Sequence, residues 1–313
     1  MKKISIITPC FNEEQNIKDC YLRLLKTMEV QLPNYEYEHI FADNSSTDNT
    51  VKVLREIAKE DKRVKVIVNS RNVGPFRSMW NAMKSSTGDA VIPLLPADLQ
   101  DPPEIIPNFV TKWESGDMVI YGVRRNRQEF YVLRFLRNSY YKLIKRFSSE
   151  SIPMNAGEFL LADRKVIDSI LSLQDHYPYI RGLIAQTGVR YAEVEYNWAK
   201  RLRGKSKNNL VALLDQAING FVTTSRVPAR ISLILGFCLS AFGVIFAGLT
   251  VIVSILNDGS IPIGIPAIIV GVFFLGGIQL FFLGLIGEYV LSIHGQVRPT
   301  PPMFELERIN FHN

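Results

Sequence analysis

The sequence predicts an α/β domain built on a mainly parallel sheet, followed by a two-helix hairpin that crosses a membrane. Three observations carry this expectation. Short apolar runs alternate with helical stretches at intervals of about 25 residues, the spacing of βαβ units. The apolar runs stop at clusters of oxygen-bearing side chains, as buried parallel strands do at a ligand-binding edge. Residues 231–256 then form an uncharged stretch, and 261–287 a second one with Gln279 as its only strongly polar side chain.

Taken in order, Lys3 to Thr8 is a first strand closed by Pro9, and a helix runs from about Glu14 to Met28. Tyr37 to Ala42 is a second strand, ending at Asp43-Asn44-Ser45-Ser46-Thr47-Asp48. Thr47 or Asp48 is a natural N-cap for a helix over Asn49 to Asp61. Val64 to Val68 is a third strand, and Phe76 to Ser85 a helix with Gly88 as its stop signal. Ala90 to Leu95 is the fourth strand, and it feeds Pro96-Ala97-Asp98-Leu99-Gln100-Asp101-Pro102-Pro103. In open α/β sheets ligands bind just outside the carboxyl ends of such strands. Asp98, Gln100 and Asp101 therefore stand where hard oxygen ligands hold a divalent cation against a diphosphate. The plainer alternative is an ordinary turn opened by Asp101-Pro102. No GxGxxG or GxxxxGK[ST] follows a strand, which disfavours a dinucleotide fold or a P-loop ATPase.

Beyond this domain the pattern changes. Phe130, Leu133, Leu136, Tyr140, Ile144 and Phe147 recur at helical spacing, with Arg134, Arg137, Lys142, Lys145 and Arg146 around them. A basic, aromatic-rich amphipathic helix over 130–147 reads as lying in a membrane interface, the alternative being a core helix with a solvated basic face. A similar helix covers about 209–224. The two apolar stretches that follow exceed the roughly 20 residues needed to cross a hydrocarbon core. Asn257-Asp258-Gly259-Ser260 between them carries no Lys or Arg, whereas Arg226, Arg230 and Arg298 flank the pair. The positive-inside rule then puts both termini in the cytosol. The expected organisation is a cytosolic α/β domain over 1–228, which would carry any catalytic site, two transmembrane helices within 229–290, and a cytosolic tail over 291–313. A net charge of +6 and a pI near 9.1 call for an anionic partner. The hairpin argues for a membrane or phosphorylated substrate, not nucleic acid. Cys10, Cys20 and Cys238 are scattered, which argues against a disulfide framework or zinc site.

With these pieces in place, the chain resembles a family 2 (GT-A fold) glycosyltransferase. It is more narrowly similar to polyprenyl-phosphate glycosyltransferases, the dolichol-phosphate mannose synthase group and bacterial undecaprenyl-phosphate sugar transferases with a C-terminal membrane hairpin. Ile6 to Glu14 resembles that family's opening strand and P-x-[YF]-N-E turn. Ala42 to Thr50 resembles V-D-D-G-S-x-D-x-T, Ser70 to Gly74 matches S-R-N-x-G, and Ala97 to Glu104 matches A-D-L-Q-D-P-P-E. Arg203, Gly204, Ser206 and Lys207 match R-x-G-x-S-K at its R, G-x-S-K end.

The resemblance implies roles at these positions. Asp43 would accept the imino N–H of the donor base, with Pro9, Asn12 and Glu14 shaping the base and ribose pocket, and Ser70, Asn72, Ala97 and Asp98 completing the donor site. Asp98 and Gln100 would ligate Mg²⁺ or Mn²⁺. Arg203, Ser206 and Lys207 would bind the acceptor phosphate, with Arg124, Arg125 and Arg127 as further candidates. Two departures stand out. Pro96 replaces the first acid of the usual Asp-x-Asp. Asn155 to Leu160 occupies the place of a G-D-F-R-L segment, with Glu158 for the aspartate and Leu160 for the arginine. Glu158 and Asp98 are thus the candidate catalytic residues.

The implied activity is inverting transfer of a monosaccharide from a nucleotide-sugar to a polyprenyl phosphate, undecaprenyl or dolichyl, at the cytosolic membrane face. UDP-sugars come first and GDP-mannose second. The implied setting is a bacterial inner membrane, with a downstream flippase as partner, and the resemblance allows a homo-oligomer. The alternatives are a processive polysaccharide synthase, disfavoured by the lack of a Q-x-x-R-W motif, and a catalytically weak, membrane-anchored nucleotide-sugar-binding protein.

Overall fold

The computed structural model describes residues 1–125, 153, 156–173, 175, 178–199, 227–256, 264–297 and 303–311. The chain divides into two compact units, one of residues 1–208 with 299–313 and the other of residues 209–298.

In the first unit the order is β1 (Lys3–Cys10), α1 (Ile17–Gln31), β2 (Glu36–Asp43), α2 (Thr50–Glu60), β3 (Val64–Asn69), α3 (Pro75–Lys84) and β4 (Ala90–Ile92). A 3₁₀ turn (Pro103–Ile105) then leads into α4 (Ile106–Glu114), β5 (Val119–Arg124), β6 (Ala156–Asp163), α5 (Arg164–Leu171), α6 (Ile180–Gln186), β7 (Tyr191–Tyr196) and finally β8 (Glu305–Ile309). The sheet runs β7-β5-β6-β4-β1-β2-β3-β8. Its centre, β4-β1-β2-β3, is parallel, and β7 is parallel to β5. Strand β6 runs antiparallel to both β4 and β5, and β8 antiparallel to β3. The expected mainly parallel α/β sheet is therefore present, with an antiparallel insertion and an antiparallel edge.

Strands buried on both faces read as near-continuous apolar runs, because successive side chains serve opposite layers. In β1, Ile4 and Ile6 pack with Cys20 and Leu24 of α1 and Phe109 of α4, while Ile7 packs with Met79 and Met83 of α3. In β2, Phe41 meets Leu54 and Ala58 of α2, while Ile40 and Ala42 face the α3 side. Helices α1, α2 and α4 thus cover one face, and α3, α5 and α6 the other. After β3 the chain crosses back to set β4 on the far side of β1. The carboxyl ends of β1 and β4 therefore flank a switch point, where open α/β sheets bind ligands.

Strand β4 is shorter than its apolar run. Pro93 has no N–H to give to the ladder, yet the chain stays beside β1, since Leu95 N–H donates to Ile7 O at 2.8 Å. The residues expected as a tail do more than trail from the hairpin. Residues 305–309 close the β3 edge, with Arg55 Nη2 2.6 Å from Glu307 and Asn310 Nδ2 donating to Val64 O at 2.8 Å.

The second unit holds two long helices, α7 (Val227–Leu256) and α8 (Gly264–Val297). At 1.5 Å per residue each is longer than the roughly 30 Å hydrocarbon core of a bilayer. Among the described residues one window, Phe274–Leu291 with mean hydropathy 1.7, is long and apolar enough to cross a membrane. Phe237, Phe242 and Leu249 of α7 and Val272, Leu280 and Leu283 of α8 are all exposed. The expected interface helices over 130–147 and 209–224, and the loop Asn257 to Ser260, lie outside the described residues.

Candidate active site

Three polar loops leave the carboxyl ends of β1, β2 and β3, and their side chains hold one another. Asn12 adopts φ +54°, a left-handed conformation that asparagine tolerates better than most residues. Its N–H donates to Ser46 Oγ at 2.9 Å, and its Oδ1 accepts from Thr47 N–H at 2.7 Å. Glu14 Oε2 accepts from both the backbone and the side-chain amide of Asn49 at 3.0 Å. Asn44 donates to Asn72 Oδ1 at 2.9 Å and accepts from Val73 N–H at 2.9 Å. Ser70 is exposed, and its N–H donates to Phe304 O at 3.0 Å. The N-cap of α2 is Asn49, not the expected Thr47 or Asp48; Asp48, one residue earlier, accepts from Thr50 N–H through Oδ1 at 3.0 Å.

Asp43 sits beneath this lattice with 0% exposure. Ser46 donates to it twice, from its N–H at 3.0 Å and its hydroxyl at 2.5 Å. Burial pushes the Asp43 carboxyl up, and the Ser46 hydrogen bonds oppose that. Its geometry is that of a group that shapes the β2 loop. Ser45 beside it has φ +64°, a conformation that costs a side-chain-bearing residue roughly 1–2 kcal/mol and that glycine adopts freely. Cys10 also lies against Asp43, and burial, with Asp43 adding to it, pushes the thiol well up.

The stretch after β4 is a tight, polar corner. Leu99 has φ +58° and its N–H returns to Pro96 O at 3.3 Å. Asp98, half-buried, accepts Gln100 N–H at 3.1 Å, and Ala97 packs against Cys10 and Ile17. Asp101 goes elsewhere. It is 1% exposed and forms a fork with Arg124, Nε to Oδ1 at 3.1 Å and Nη2 to Oδ2 at 2.8 Å. The Tyr196 hydroxyl donates to the same Oδ1, and the Trp198 ring lies 5.0 Å from the Arg124 guanidinium. Ala199 N–H donates to Gln100 O at 3.0 Å. The end of β7 is thus laced onto the corner that carries Asp98.

The donor set fits a sparse divalent-cation site. No group of three or more His, Cys, Asp or Glu side chains occurs among the described residues. Asp98 and the Gln100 amide offer hard oxygens, and Mg²⁺ or Mn²⁺ completes its shell from water and phosphate when protein ligands are few. Asp101 is committed to Arg124 and Tyr196. Arg124, expected as a phosphate contact, is committed in turn, with 18% side-chain exposure.

On β6 the register Val91↔Ala162 carries Glu158 to about the level of Leu95, beyond the carboxyl end of β4. Glu158 Oε1 lies 3.7 Å from Arg181 Nε, and Oε2 is buried with no hydrogen-bond partner among the described residues. Burial pushes the Glu158 carboxyl up, with Arg181 and Arg124 opposing. Leu160 is wholly buried in the apolar layer against α3 and α5.

Arg203, Ser206 and Lys207 lie outside the described residues, as do Arg127 and Asn155. The structure brings Pro9, Asn12, Glu14, Asp43, Asn72, Ala97 and Asp98 to one edge of the sheet, on adjoining strand ends. Sequence reasoning missed Arg181, Tyr196 and Trp198, which sit near Glu158 and Asp101 only because the β6 insertion and β7 fold back. An aromatic-rich strand end at Tyr196-Asn197-Trp198, just before an Arg-Gly-Lys-Ser segment, was the available signal.

Comparison with known proteins agrees with this architecture. The model of glycosyl transferase family 2 matches residues 5–171, from β1 through α5. A glycosyltransferase from Synechocystis is 35% identical over 96% of this chain and 93% of its own. A prophage-derived bactoprenol glucosyl transferase from Shigella flexneri is 32% identical, with 96% of both chains covered. Among solved structures, glucosyl-3-phosphoglycerate synthase from Mycobacterium tuberculosis in complex with Mn²⁺, UDP and glucosyl-3-phosphoglycerate has a TM-score of 0.52 at 20% identity. That likeness covers 72% of this chain and 80% of the other, and bears on the fold. With a family model spanning over half the sequence and relatives matching nearly all of it, this chain belongs to glycosyl transferase family 2 and is a glycosyltransferase.

Proposed function

We propose that the chain transfers glucose from a UDP-sugar to a polyprenyl phosphate of the bactoprenol (undecaprenyl) type. The observation that carries the reading is the reach of the similarity: proteins named bactoprenol glucosyl transferases match 96% of this chain at 31–32% identity. That span takes in the apolar helices as well as the sheet. A lipid phosphate as acceptor fits the apolar window in α8, and membrane association through α7 and α8 as a two-helix hairpin follows from it. Catalysis at the cytosolic face is the orientation favoured by the flanking arginines.

The chemistry is a single in-line displacement. An acceptor phosphate oxygen attacks the anomeric carbon, forming a C–O bond as the bond to the donor diphosphate breaks, and that electron pair leaves with UDP. A phosphomonoester has a second pKa near 6, so the nucleophile is largely ionised at neutral pH and needs little base catalysis. Glu158 then orients the attacking phosphate and balances charge. A divalent cation, held by Asp98 and Gln100, would supply neutralisation of the leaving diphosphate. Asn12, Glu14 and the Asn44–Asn72 contact form a rigid rim for the base and ribose, and Asp43 supports that rim. Arg203, Ser206 and Lys207 remain the proposed acceptor contacts.

A donor screen tests this. UDP-glucose, other UDP-sugars and GDP-mannose are incubated with purified protein and undecaprenyl phosphate, with and without chelator. Expected are glucosylated lipid and UDP release that fall with chelation, and a loss of at least 100-fold in Asp98→Ala. Absence of lipid-linked sugar with every donor would favour a binding protein and overturn the proposal.

A further inference from the structure

We infer that Arg181, clamped by Tyr179, is the positioning residue that sets a positive charge beside the buried Glu158 and leaves that carboxylate open toward its substrate. This rests on the reading of Glu158 as the carboxylate facing the acceptor.

The Arg181 backbone N–H donates a hydrogen bond to the Glu158 carboxyl, while its guanidinium supplies charge from a greater distance. Arg181 Nε donates to the Tyr179 hydroxyl at 3.0 Å, Nη2 donates to the same hydroxyl at 2.5 Å, and Nη1 donates to the Ala156 carbonyl. The guanidinium also lies 5.4 Å from the Tyr179 ring centre. The separation of 3.7 Å between Arg181 Nε and Glu158 Oε1 is an ion-pair distance, too long for a hydrogen bond. Arg181 therefore lends Glu158 its charge without taking up Oε2, which stays buried with no hydrogen-bond partner among the described residues. A carboxylate that keeps lone pairs unspent in a water-poor site is equipped to orient an incoming acceptor.

Two further features tie the clamp to the fold. Gly182, next in sequence, is where a Cβ would collide with the Tyr179 ring, so glycine there lets the tyrosine close over the arginine. Leu160, two residues along β6 from Glu158, is apolar and buried, so α6 delivers the cation. Among the described residues, the charged and titratable groups facing Glu158 are Arg181 with Tyr179 from α6 and its N-cap, and Arg124 with Tyr121 from β5. Arg124 is already committed to Asp101, which leaves Arg181 as the cation assigned to Glu158.

The test is the pH profile of kcat/KM with UDP-glucose and undecaprenyl phosphate, comparing wild type with Arg181→Met, Arg181→Lys, Gly182→Ala and Glu158→Gln. An opposite charge within about 4–6 Å lowers a carboxyl by roughly 1–3 pH units. In Arg181→Met the acidic limb is expected to move up by at least one unit, giving a tenfold or larger loss at pH 6 that recovers by pH 8.5. Arg181→Lys should restore the wild-type limb, and Gly182→Ala should shift it part of the way. The acceptor's own titration is common to all variants and cancels from the comparison. A uniform loss across pH in Arg181→Met, or an unmoved limb, overturns the inference. Wild-type rates in Glu158→Gln would instead sink the reading beneath it. Tm supplies a readout independent of the donor. Arg181→Met should lose more at pH 8 than at pH 5, and Glu158→Gln combined with Arg181→Met should lose that difference; equal loss at both pH values also counts against the pair.

Discussion

Replacing Arg124 by methionine should unfold the corner that carries Asp98, and its cost can be worked from the geometry. Asp101 is 1% exposed and both its oxygens lie on Arg124, whose side chain is 18% exposed. Methionine fills much the same volume but leaves Asp101 as a buried carboxylate with Tyr196 as its one remaining side-chain donor among the described residues. Breaking a buried pair from one side costs about 3–5 kcal/mol, which for a chain of this size corresponds to a drop in Tm on the order of 10 °C. Asp101→Asn combined with Arg124→Met removes both charges and should recover more than half of that loss. Thermal unfolding of the detergent-solubilised protein, followed through the full double-mutant cycle, gives the coupling energy directly. A loss below about 1 kcal/mol for Arg124→Met, or a cycle that is simply additive, would refute the assignment of this pair as a buried, mutually dependent brace.

Two more predictions follow from other parts of the sheet. Glu38 is buried; burial raises its carboxyl, but Lys65, Ser5 and the Thr87 N–H more than offset this and bring it down to about 2. A lowered carboxyl contributes stability above its unfolded pKa and loses it as pH falls through the folded value. The protein should therefore lose about 3 kcal/mol between pH 5 and pH 2 through this group, and Glu38→Gln should flatten that part of the Tm-against-pH curve. Removing residues 303–313 should uncover the edge of β3 and lower Tm by several degrees while promoting self-association, measured by light scattering; an unchanged Tm would show that β8 adds nothing to the sheet.

The parallel centre of the sheet was legible because strands buried on both faces leave continuous apolar runs bounded by Pro, Gly and polar clusters. Strands β1 to β3 accordingly start where expected or within one residue of it. Strand β7, Tyr-Ala-Glu-Val-Glu-Tyr, alternates polar residues at the sheet's far edge and was not picked out, and β8 looked like a charged tail. Motif residues on consecutive strand ends were readable because parallel topology alone gathers them. The partnerships Asp101–Arg124–Tyr196 and Glu158–Arg181 were not, since each joins residues 23 to 95 positions apart across elements whose pairing no local pattern encodes. Arg124 shows the limit clearly. An arginine at a strand end suggests a ligand contact from sequence alone, whereas its pairing with the buried Asp101 is visible only in the folded chain.

Strand β8 also has a bearing on the order in which the molecule can assemble. It follows α7 and α8 in the chain, so during synthesis β3 exists for well over two hundred residues of further elongation before its outer neighbour is made. Throughout that interval the row of N–H and C=O groups from Val66 to Asn69 has no partner on that side, the condition under which sheets capture foreign strands. The nascent catalytic unit is therefore complete only after the apolar helices have emerged. A chain that ends within the apolar helices would carry an open sheet edge, so the last residues made are the ones that close the sheet begun by the first.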